Sequence, residues 1–333
     1  MHRCATRITA SMSPNNLPII HTGLDIAKAT LQLSLRGTSH ALDNDAKGHA
    51  RLLKLLGNAE RESGGSGGAK AHVILEATGG YEAAVVRALH SADIRVSVMM
   101  PSRIRAFARA KGQLAKTDPI DADMLAAFGE AIKPEPSAPK SAAQSALGEL
   151  TTRRAQLVAE RVAEENRGAL YTSKLALRQS RTLLALMEKQ IAACEVEIAT
   201  QIAAEPEMKT RAARLQEVPG VGPISAAILL AQMPELGTLT DGETAALAGL
   251  APYNSDSGTA SGPRHIRGGR TTVRCALYMA AMSAIRHDRI LREFYQRLCA
   301  GGKKPIIALT AAMRKLIVLL NRMLKNPDFK LQG

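Results

Sequence analysis

The sequence predicts an α/β N-terminal domain, a long helical middle and a mainly α C-terminal domain. Three observations carry that prediction. Strand-like and helix-like segments alternate over residues 17–132, residues 142–204 are nearly free of Gly and Pro, and beyond about residue 213 helical runs are joined by turns rich in Gly, Pro and Ser. A chain of 333 residues has room for two or three domains, each with its own core.

Residues 17–36 read as two strands. Ile19, Ile20, Leu24 and Ile26 are apolar around Gly23, and residues 29–35 alternate in the strand manner. A short third strand is expected over residues 39–43. An amphipathic helix over 47–58 follows, with Leu52, Leu53, Leu55 and Leu56 on its buried side. Residues 63–68, Ser-Gly-Gly-Ser-Gly-Gly, form a flexible loop by composition. A compact buried strand, 72–76, ends at Thr78-Gly79-Gly80; a helix over 81–90, a strand over 94–100 and a basic helical stretch over 103–116 come next. A helix over 118–131 closes the domain. Alternation alone also allows a doubly wound sheet. The order β-β-β-α-β-α-β-α, with acids at the first strand, the fourth strand and the last helix, is that of the RNase H superfold.

Residues 133–141 are a proline-rich linker and a domain boundary. The helical region, 142–212, reads as one long coiled-coil-like helix or as a hairpin breaking near 171–178. Its heptads are irregular, and it suits a spacer or a pairing surface. The last region, 213–327, contains Pro219-Gly220-Val221-Gly222-Pro223, a helix over 224–233, a segment over 246–252, a Ser-, Gly- and Arg-rich stretch over 253–270, and helices over 271–286 and 305–324. Residues 1–16 lack the apolar core of a signal peptide and are expected to be a disordered tail.

Composition narrows the function. The net charge is +14, and such a surplus of cations attracts polyanions, of which nucleic acid is the commonest in a cell. With no Trp, four Phe and five Tyr there are few platforms for stacking splayed bases, which favours backbone contact with a duplex or a structured RNA. Cys4, Cys194, Cys275 and Cys299 are scattered, against both a structural zinc and a disulfide framework and in keeping with a reducing cytoplasm. No run reaches the roughly 18 apolar residues of a membrane span. No Walker A pattern is present, so ATP is not implied.

The acids carry the chemistry. Phosphodiester cleavage or transfer needs charge offset at the phosphate and both flanking oxygens, which two hard cations about 3.5–4 Å apart supply, and Mg²⁺ (or Mn²⁺) takes oxygen ligands. Asp25, within an apolar strand, is costly to bury uncompensated. Glu76 ends a neighbouring strand and can face the same cleft. Asp118 and Asp121, three apart, share a helical face; Asp118-Pro119-Ile120-Asp121 also reads as a helix start. Asp123 is a reserve ligand, while Glu82 and Asp43 read as solvated surface.

Two further constellations are basic or Gly-rich. The 219–223 segment matches a helix-hairpin-helix, in which Gly220 and Gly222 expose backbone N–H groups to a phosphate, or a plain turn between packed helices. Ser257, before Gly258 and followed by Arg264, His265, Arg267, Arg270 and Arg274, can be read as a phosphorus nucleophile among guanidinium groups or as an ordinary loop; Ser255 lies two positions away. Arg103, Arg105 and Lys116 are further nucleic-acid contacts.

Together these motifs resemble the DEDD transposases of bacterial insertion sequences, relatives of the Piv-type DNA invertases and bridge-RNA-guided recombinases. The resemblance lies in Gly23-Leu-Asp25-Ile-Ala-Lys28, Leu75-Glu76-Ala-Thr-Gly-Gly-Tyr81, Ala115-Lys116-Thr-Asp118-Pro-Ile-Asp121-Ala122, the 219–223 turn, Gly249-Leu-Ala-Pro252, Ser257-Gly258 and the run from Arg264 to Arg274. It implies a RuvC-like catalytic domain over 17–132, with Asp25, Glu76, Asp118 and Asp121 as the Mg²⁺-binding tetrad. It implies a C-terminal transposase domain whose Ser257 forms a phosphoserine link to DNA. The partners implied are double-stranded DNA at element ends and target, a guide RNA and further copies of the chain in a dimer or tetramer. The place implied is the bacterial cytoplasm. Two alternatives stay open: a RuvC-like junction endonuclease in which water attacks, and a non-catalytic nucleic-acid-binding scaffold.

Overall fold

The computed structural model describes residues 17–63, 69–113, 118–254, 262 and 264–329. The chain divides into two units, the first ending at Pro139 and the second beginning at Lys140.

The first unit is a mixed α/β domain, consistent with the RuvC-like plan. β1 (Ile19–Ile26) pairs antiparallel with β2 (Thr30–Leu35), and β2 antiparallel with β3 (Thr38–Asp43). The β2–β3 turn is two residues long, with Arg36 and Gly37 both at positive φ (51° and 76°), the geometry that matches the twist of a tight hairpin. On its other side β1 pairs parallel with β4 (Lys70–Glu76), which pairs parallel with β5 (Arg95–Met99), so the sheet order is β3-β2-β1-β4-β5.

Parallel neighbours need a crossover. α1 (Ala46–Glu62) supplies it between β3 and β4, started by Asp45, whose carboxylate accepts the Gly48 N–H at 2.8 Å. α2 (Ala83–Ser91) connects β4 to β5.

Strand alternation sorts the side chains onto two faces. Leu24, Ile26, Leu31, Leu33, Val73, Leu75 and Val96 pack on one side with Leu52 and Leu56 of α1 and Val85 and Leu89 of α2. Each such Leu contributes about 1.5–3 kcal/mol by leaving water. The opposite face carries α3 (Pro101–Ala110) and α4 (Asp118–Ile132), through Ile74, Met99, Ile104, Leu125 and Phe128. Pro101, directly after the strand expected over 94–100, opens α3, since Pro suits the first helical position.

α4 lies against the sheet at backbone distance. A Cβ on Gly23 would stand 1.8 Å from the Ala122 carbonyl oxygen, and one on Gly129 would stand 2.7 Å from Ile74 Cγ1. The proline-rich stretch is also built into this unit. The Ser137 N–H donates to the Val96 carbonyl (2.7 Å), Val98 N–H donates to Ser137 Oγ (3.1 Å), and Ser97 Oγ donates to the Glu135 carbonyl (2.9 Å). Read from composition as a linker, it covers the β5 edge, which would otherwise be open to pairing.

In the second unit, α5 (Ala142–Gly168) and α6 (Lys174–Ala204) form a helical hairpin that breaks at residues 169–173. They run antiparallel: Arg154 pairs with Glu195 near the base, and Gly168 meets Ser180 near the turn. α7 (Pro206–Gln216), α8 (Pro223–Gln232), α9 (Asp241–Leu247), α10 (Thr271–His287), α11 (Arg289–Ala300) and α12 (Pro305–Lys325) surround one core that includes Leu215, Val218, Leu229, Leu277, Leu316 and Leu320, joined by Leu147 of α5 and Ile198 of α6. A two-stranded ribbon, β6 (Pro252–Tyr253) with β7 (His265–Ile266), leaves this core. α11 was not foreseen, α7 is a separate helix at the end of the stretch expected to be helical over 142–212, and α9, at 241–247, overlaps the start of the 246–252 segment, for which no helix was expected. Thr240 and Glu243 form a reciprocal capping box that fixes the start of α9. Among the described residues, no helix is long and apolar enough to cross a membrane.

Candidate active site

Three elements bring acids to one end of one sheet face. Gly23 faces α4, and Asp25, two residues on, shares that face. Ile74 of β4 also meets α4, and Glu76, two residues on, follows it. In the parallel register Gly23 lies opposite Ile74 and Leu24 opposite Leu75, so Asp25 and Glu76 leave the same end of adjacent strands, which are about 4.8 Å apart. α4 runs against β1, with Ala122 and Ala126 at Gly23 and Gly129 at His21. Its first turn, with Asp118 and Asp121, therefore sits at the Asp25/Glu76 end. Asp118 is four residues before Ala122 and so on the strand-facing side.

Asp25, Glu76 and Asp121 are half-buried and Asp118 is exposed. Each of the first three interacts with neighbouring groups. Asp123 is exposed and two residues from Asp121, on another side of the helix. As they stand, no three His, Cys, Asp or Glu side chains among the described residues form a closed ion cage. The donor set nevertheless suits Mg²⁺, which is usually held by one or two carboxylates together with water and substrate phosphate rather than by an all-protein cage.

A hydrogen-bonded frame holds the loops bearing these acids. After Glu76 the chain turns through Gly79 (φ 82°) and Gly80 (φ 132°), both in the region that favours glycine. The Glu82 carboxylate accepts from Thr78 Oγ1 (2.5 Å), Thr78 N–H (3.2 Å) and Gly80 N–H (2.9 Å). Burial pushes this carboxyl upward, but the bonds from Thr78, Gly80 and its own backbone outweigh burial and hold it below the usual carboxylate range. Asn44 joins the two acid-bearing loops: its Nδ2 donates to the carbonyls of Ala27 (3.0 Å) and Tyr81 (3.3 Å), and His49 Nε2 lies 2.9 Å from its Oδ1. Reading Glu82 as solvated surface was wrong, and Asn44 was missed. The available signal was a carboxylate just beyond Thr-Gly-Gly, where turning backbone leaves N–H groups to satisfy.

Away from the acid end of the same face, His72 is buried, with Nε2 2.8 Å from Ser97 Oγ and its ring 5.5 Å from that of His21. Burial, then the nearby His21 and Arg95, lower its pKa to about 4.

The expected basic contacts separate into open and engaged groups. Arg103 and Arg105 are exposed on either side of buried Ile104, Arg103 lying 5.7 Å from the Phe128 ring centroid. Lys116 lies outside the described residues. Arg264 is exposed, and Arg267 stacks over Tyr253 at 4.9 Å. Arg274 donates through Nη1 to the Gly268 carbonyl (2.8 Å). Arg270 departs from the expected phosphate contact. Its Nη1 and Nη2 grip both Glu235 carboxylate oxygens (2.8 and 2.7 Å), and Nη1 also donates to the Gln232 carbonyl (2.8 Å), so it anchors the loop. Burial raises the Glu235 carboxyl, but Arg270 and the backbone hold it below the usual range.

Ser255, Ser257 and Gly258 lie outside the described residues. The β6–β7 ribbon pairs Tyr253 with exposed His265, on either side of that segment. The 219–223 turn joins α7 to α8. A Cβ on Gly220 (φ 96°) would stand 2.6 Å from both Ala280 O and Ala284 N of α10, so glycine is needed there for packing. Gly222, at the start of α8, is exposed, with open space where a Cβ would stand.

Comparison with known sequences gives two matches in chain order. Residues 22–169 match the IS110 DEDD family described as Transposase, and residues 212–296 match the Transposase IS116/IS110/IS902 family. The chain is 29% identical to the pilin gene-inverting protein of Moraxella lacunata over 256 residues, covering 74% of this chain and 78% of that protein. The pilin gene-inverting protein of Moraxella bovis is similar to the same degree and extent. The insertion element IS110 uncharacterized 43.6 kDa protein of Streptomyces coelicolor is 30% identical over 207 residues, covering 58% of this chain and 50% of that protein.

Proposed function

The chain belongs to the IS110-type DEDD transposases, enzymes of DNA transposition and recombination, and from that premise we propose that it cuts and rejoins the ends of its own mobile element with Asp25, Glu76, Asp118 and Asp121 and a serine nucleophile, Ser257. The observation that carries this is the gathering of acids from β1, β4 and the first turn of α4 at one end of one sheet face. Those four would hold Mg²⁺ or Mn²⁺, which when bound offsets charge on the phosphate and its flanking oxygens.

Glu82 and Asn44 keep the two strand-end loops in place. Ser257 Oγ forms a bond to phosphorus while the bond to one bridging oxygen breaks; the serine proton leaves to a base and the released oxygen takes one up. The reverse attack reseals a strand, so no ATP is consumed, in keeping with the missing Walker A pattern. Exposed Arg264 and Arg267, with Arg103, Arg105 and Lys116, serve the DNA backbone. Gly222 at the head of α8 suits a helix-hairpin-helix phosphate contact.

Residues 17–132 form the catalytic domain, 142–212 the helical spacer and 213–327 the domain bearing the serine loop. Double-stranded DNA is the substrate, a guide RNA selects the target, and several copies assemble, sharing active sites, in the bacterial cytoplasm. Inversion of a gene segment, named for the Moraxella relatives, is the same cut-and-rejoin chemistry.

The test is direct. Asp25→Ala and Glu76→Ala abolish strand cleavage while DNA binding persists, and Ser257→Ala loses a Mg²⁺-dependent protein–DNA adduct on a denaturing gel. Full cleavage in either acid variant refutes the site. Cleavage by the wild type with no adduct points instead to hydrolysis by water, and an adduct that persists in Ser257→Ala moves the nucleophile to Ser255.

A further inference from the structure

We propose that the first turns of α6 are a contact for the backbone of duplex DNA, in which Lys174, Arg178 and Arg181 each meet a phosphate. This extends the DNA-acting function proposed above to a surface outside the acid cluster and outside the C-terminal arginines.

The three cations recur at i, i+4 and i+7, so they form one stripe along the helix. All three are exposed, and together with Leu177 and Thr182 they line a shallow open trough. The segment from Lys174 to Arg181 contains three cations and no acid. None of the three forms an ion pair or side-chain hydrogen bond among the described residues. Other arginines of the same hairpin behave differently: Arg154 pairs with Glu195 (2.6 Å), Arg161 with Glu165 (3.1 Å) and Arg167 with Glu164 (2.9 Å). Three of the six arginines on the hairpin's helices are thus neutralised internally, while Arg178 and Arg181, in line with Lys174, are left open.

Helix stability does not account for the stripe. Lys174, at the first position of α6, opposes the macrodipole, which favours acids in the first turn, while Arg178 and Arg181 lie beyond that turn and gain nothing from it. α6 has no acid in its first turn, and Ser173 makes no side-chain capping bond. An external polyanion resolves that mismatch.

Spacing selects the partner. Seven residues advance about 10.5 Å along a helix, which with side-chain reach matches a B-form major groove about 12 Å wide. The deep, narrow major groove of A-form RNA does not admit such a helix. The segment contains no aromatic residue, which removes the stacking that holds single strands.

The experiment uses the full chain and a random-sequence B-form duplex, with affinity measured from low to moderate salt. Each neutralised phosphate adds about 0.9 to the slope of log affinity against log salt. Lys174→Ala/Arg178→Ala/Arg181→Ala is expected to reduce that slope by about 2–3 and to weaken low-salt binding at least tenfold for every sequence. Arg178→Lys/Arg181→Lys, which keeps the charge, is expected to retain the wild-type slope, separating charge from folding. An unchanged slope in the triple alanine variant overturns the contact and leaves the proposed function standing. A slope lost only on duplex RNA, or only on single strands, also overturns it. A wild-type chain that binds no DNA at all overturns the proposed function as well.

Discussion

Gly23→Ala adds a single methyl group at the closest approach of β1 and α4, and its effect can be worked from the contacts. The new carbon would stand 1.8 Å from the Ala122 carbonyl oxygen, 2.6 Å from Ala126 N and 2.8 Å from Leu125 Cβ. A carbon resting against a carbonyl oxygen needs about 3.3 Å, so α4 must move back by about 1.5 Å. Two of the three obstacles are helix backbone, which no rotamer change relieves. Overpacking of this kind costs about 1–3 kcal/mol, and more where backbone must shift; here about 3 kcal/mol is expected. The same shift carries the Asp118/Asp121 turn away from Asp25 and Glu76. A misplacement of about 1 Å at reacting groups can cost 10²-fold in rate, so cleavage should fall by roughly two orders of magnitude even where the protein remains folded. Urea denaturation supplies the first quantity, and cleavage of an element-end duplex at a temperature where both proteins are folded supplies the second. Wild-type stability with full cleavage in Gly23→Ala would refute the packing of α4 on β1 and, with it, the placement of the two helix acids.

Gly220→Ala meets the α10 backbone at 2.6 Å from a positive φ and is expected to destabilise the second unit by about 2–4 kcal/mol; chemical denaturation checks it, and a neutral result would remove the packing explanation for this glycine. Glu82→Gln keeps the side chain's shape but loses the charge that accepts from Thr78 and Gly80; cleavage should fall severalfold with DNA affinity unchanged, and an equal loss of both would point to misfolding instead. Because the folded Glu82 carboxyl lies below its usual range, its stabilisation is present above the unfolded pKa and is lost as pH falls through the lowered folded value. The acid limb of the stability profile should therefore flatten in Glu82→Gln. His72, with its pKa lowered to about 4, works in another window: the unfolded chain binds the extra proton between about pH 6.5 and pH 4, so stability declines as pH falls across that range, at up to about 1.4 kcal/mol per unit. Denaturation midpoints at pH 5 and pH 7 should diverge less in His72→Asn than in the wild type.

The N-terminal sheet was legible because its strands are short and apolar, and the Leu24/Ile26 and Leu31/Leu33 alternation assigns a buried face. Asp25 and Glu76 stood out as charged residues in otherwise apolar strands, whereas Asp118 and Asp121 read equally well as the start of a helix. What escaped depends on contacts distant in the chain. Glu82 reads as surface until the Gly79 and Gly80 conformations turn two N–H groups toward it. Gly220 reads as a phosphate-binding glycine until α10, some sixty residues on, closes over it. The proline-rich stretch reads as linker because the β5 edge that it covers exists only once the strand order is known. α11 did carry a signal, the Asp288 cap and the Ile290, Leu291, Phe294, Tyr295, Leu298 spacing, but interleaved arginines masked it, and only Leu291 on that helix is fully buried.

One measurement bears on the central claim without depending on turnover: anomalous diffraction from crystals of the chain grown with duplex DNA and Mn²⁺. Manganese density in contact with carboxylates of Asp25 and Glu76 and of the Asp118/Asp121 turn is the predicted result. Ordered manganese elsewhere on the protein, with those four side chains turned from one another and from the DNA, would contradict it.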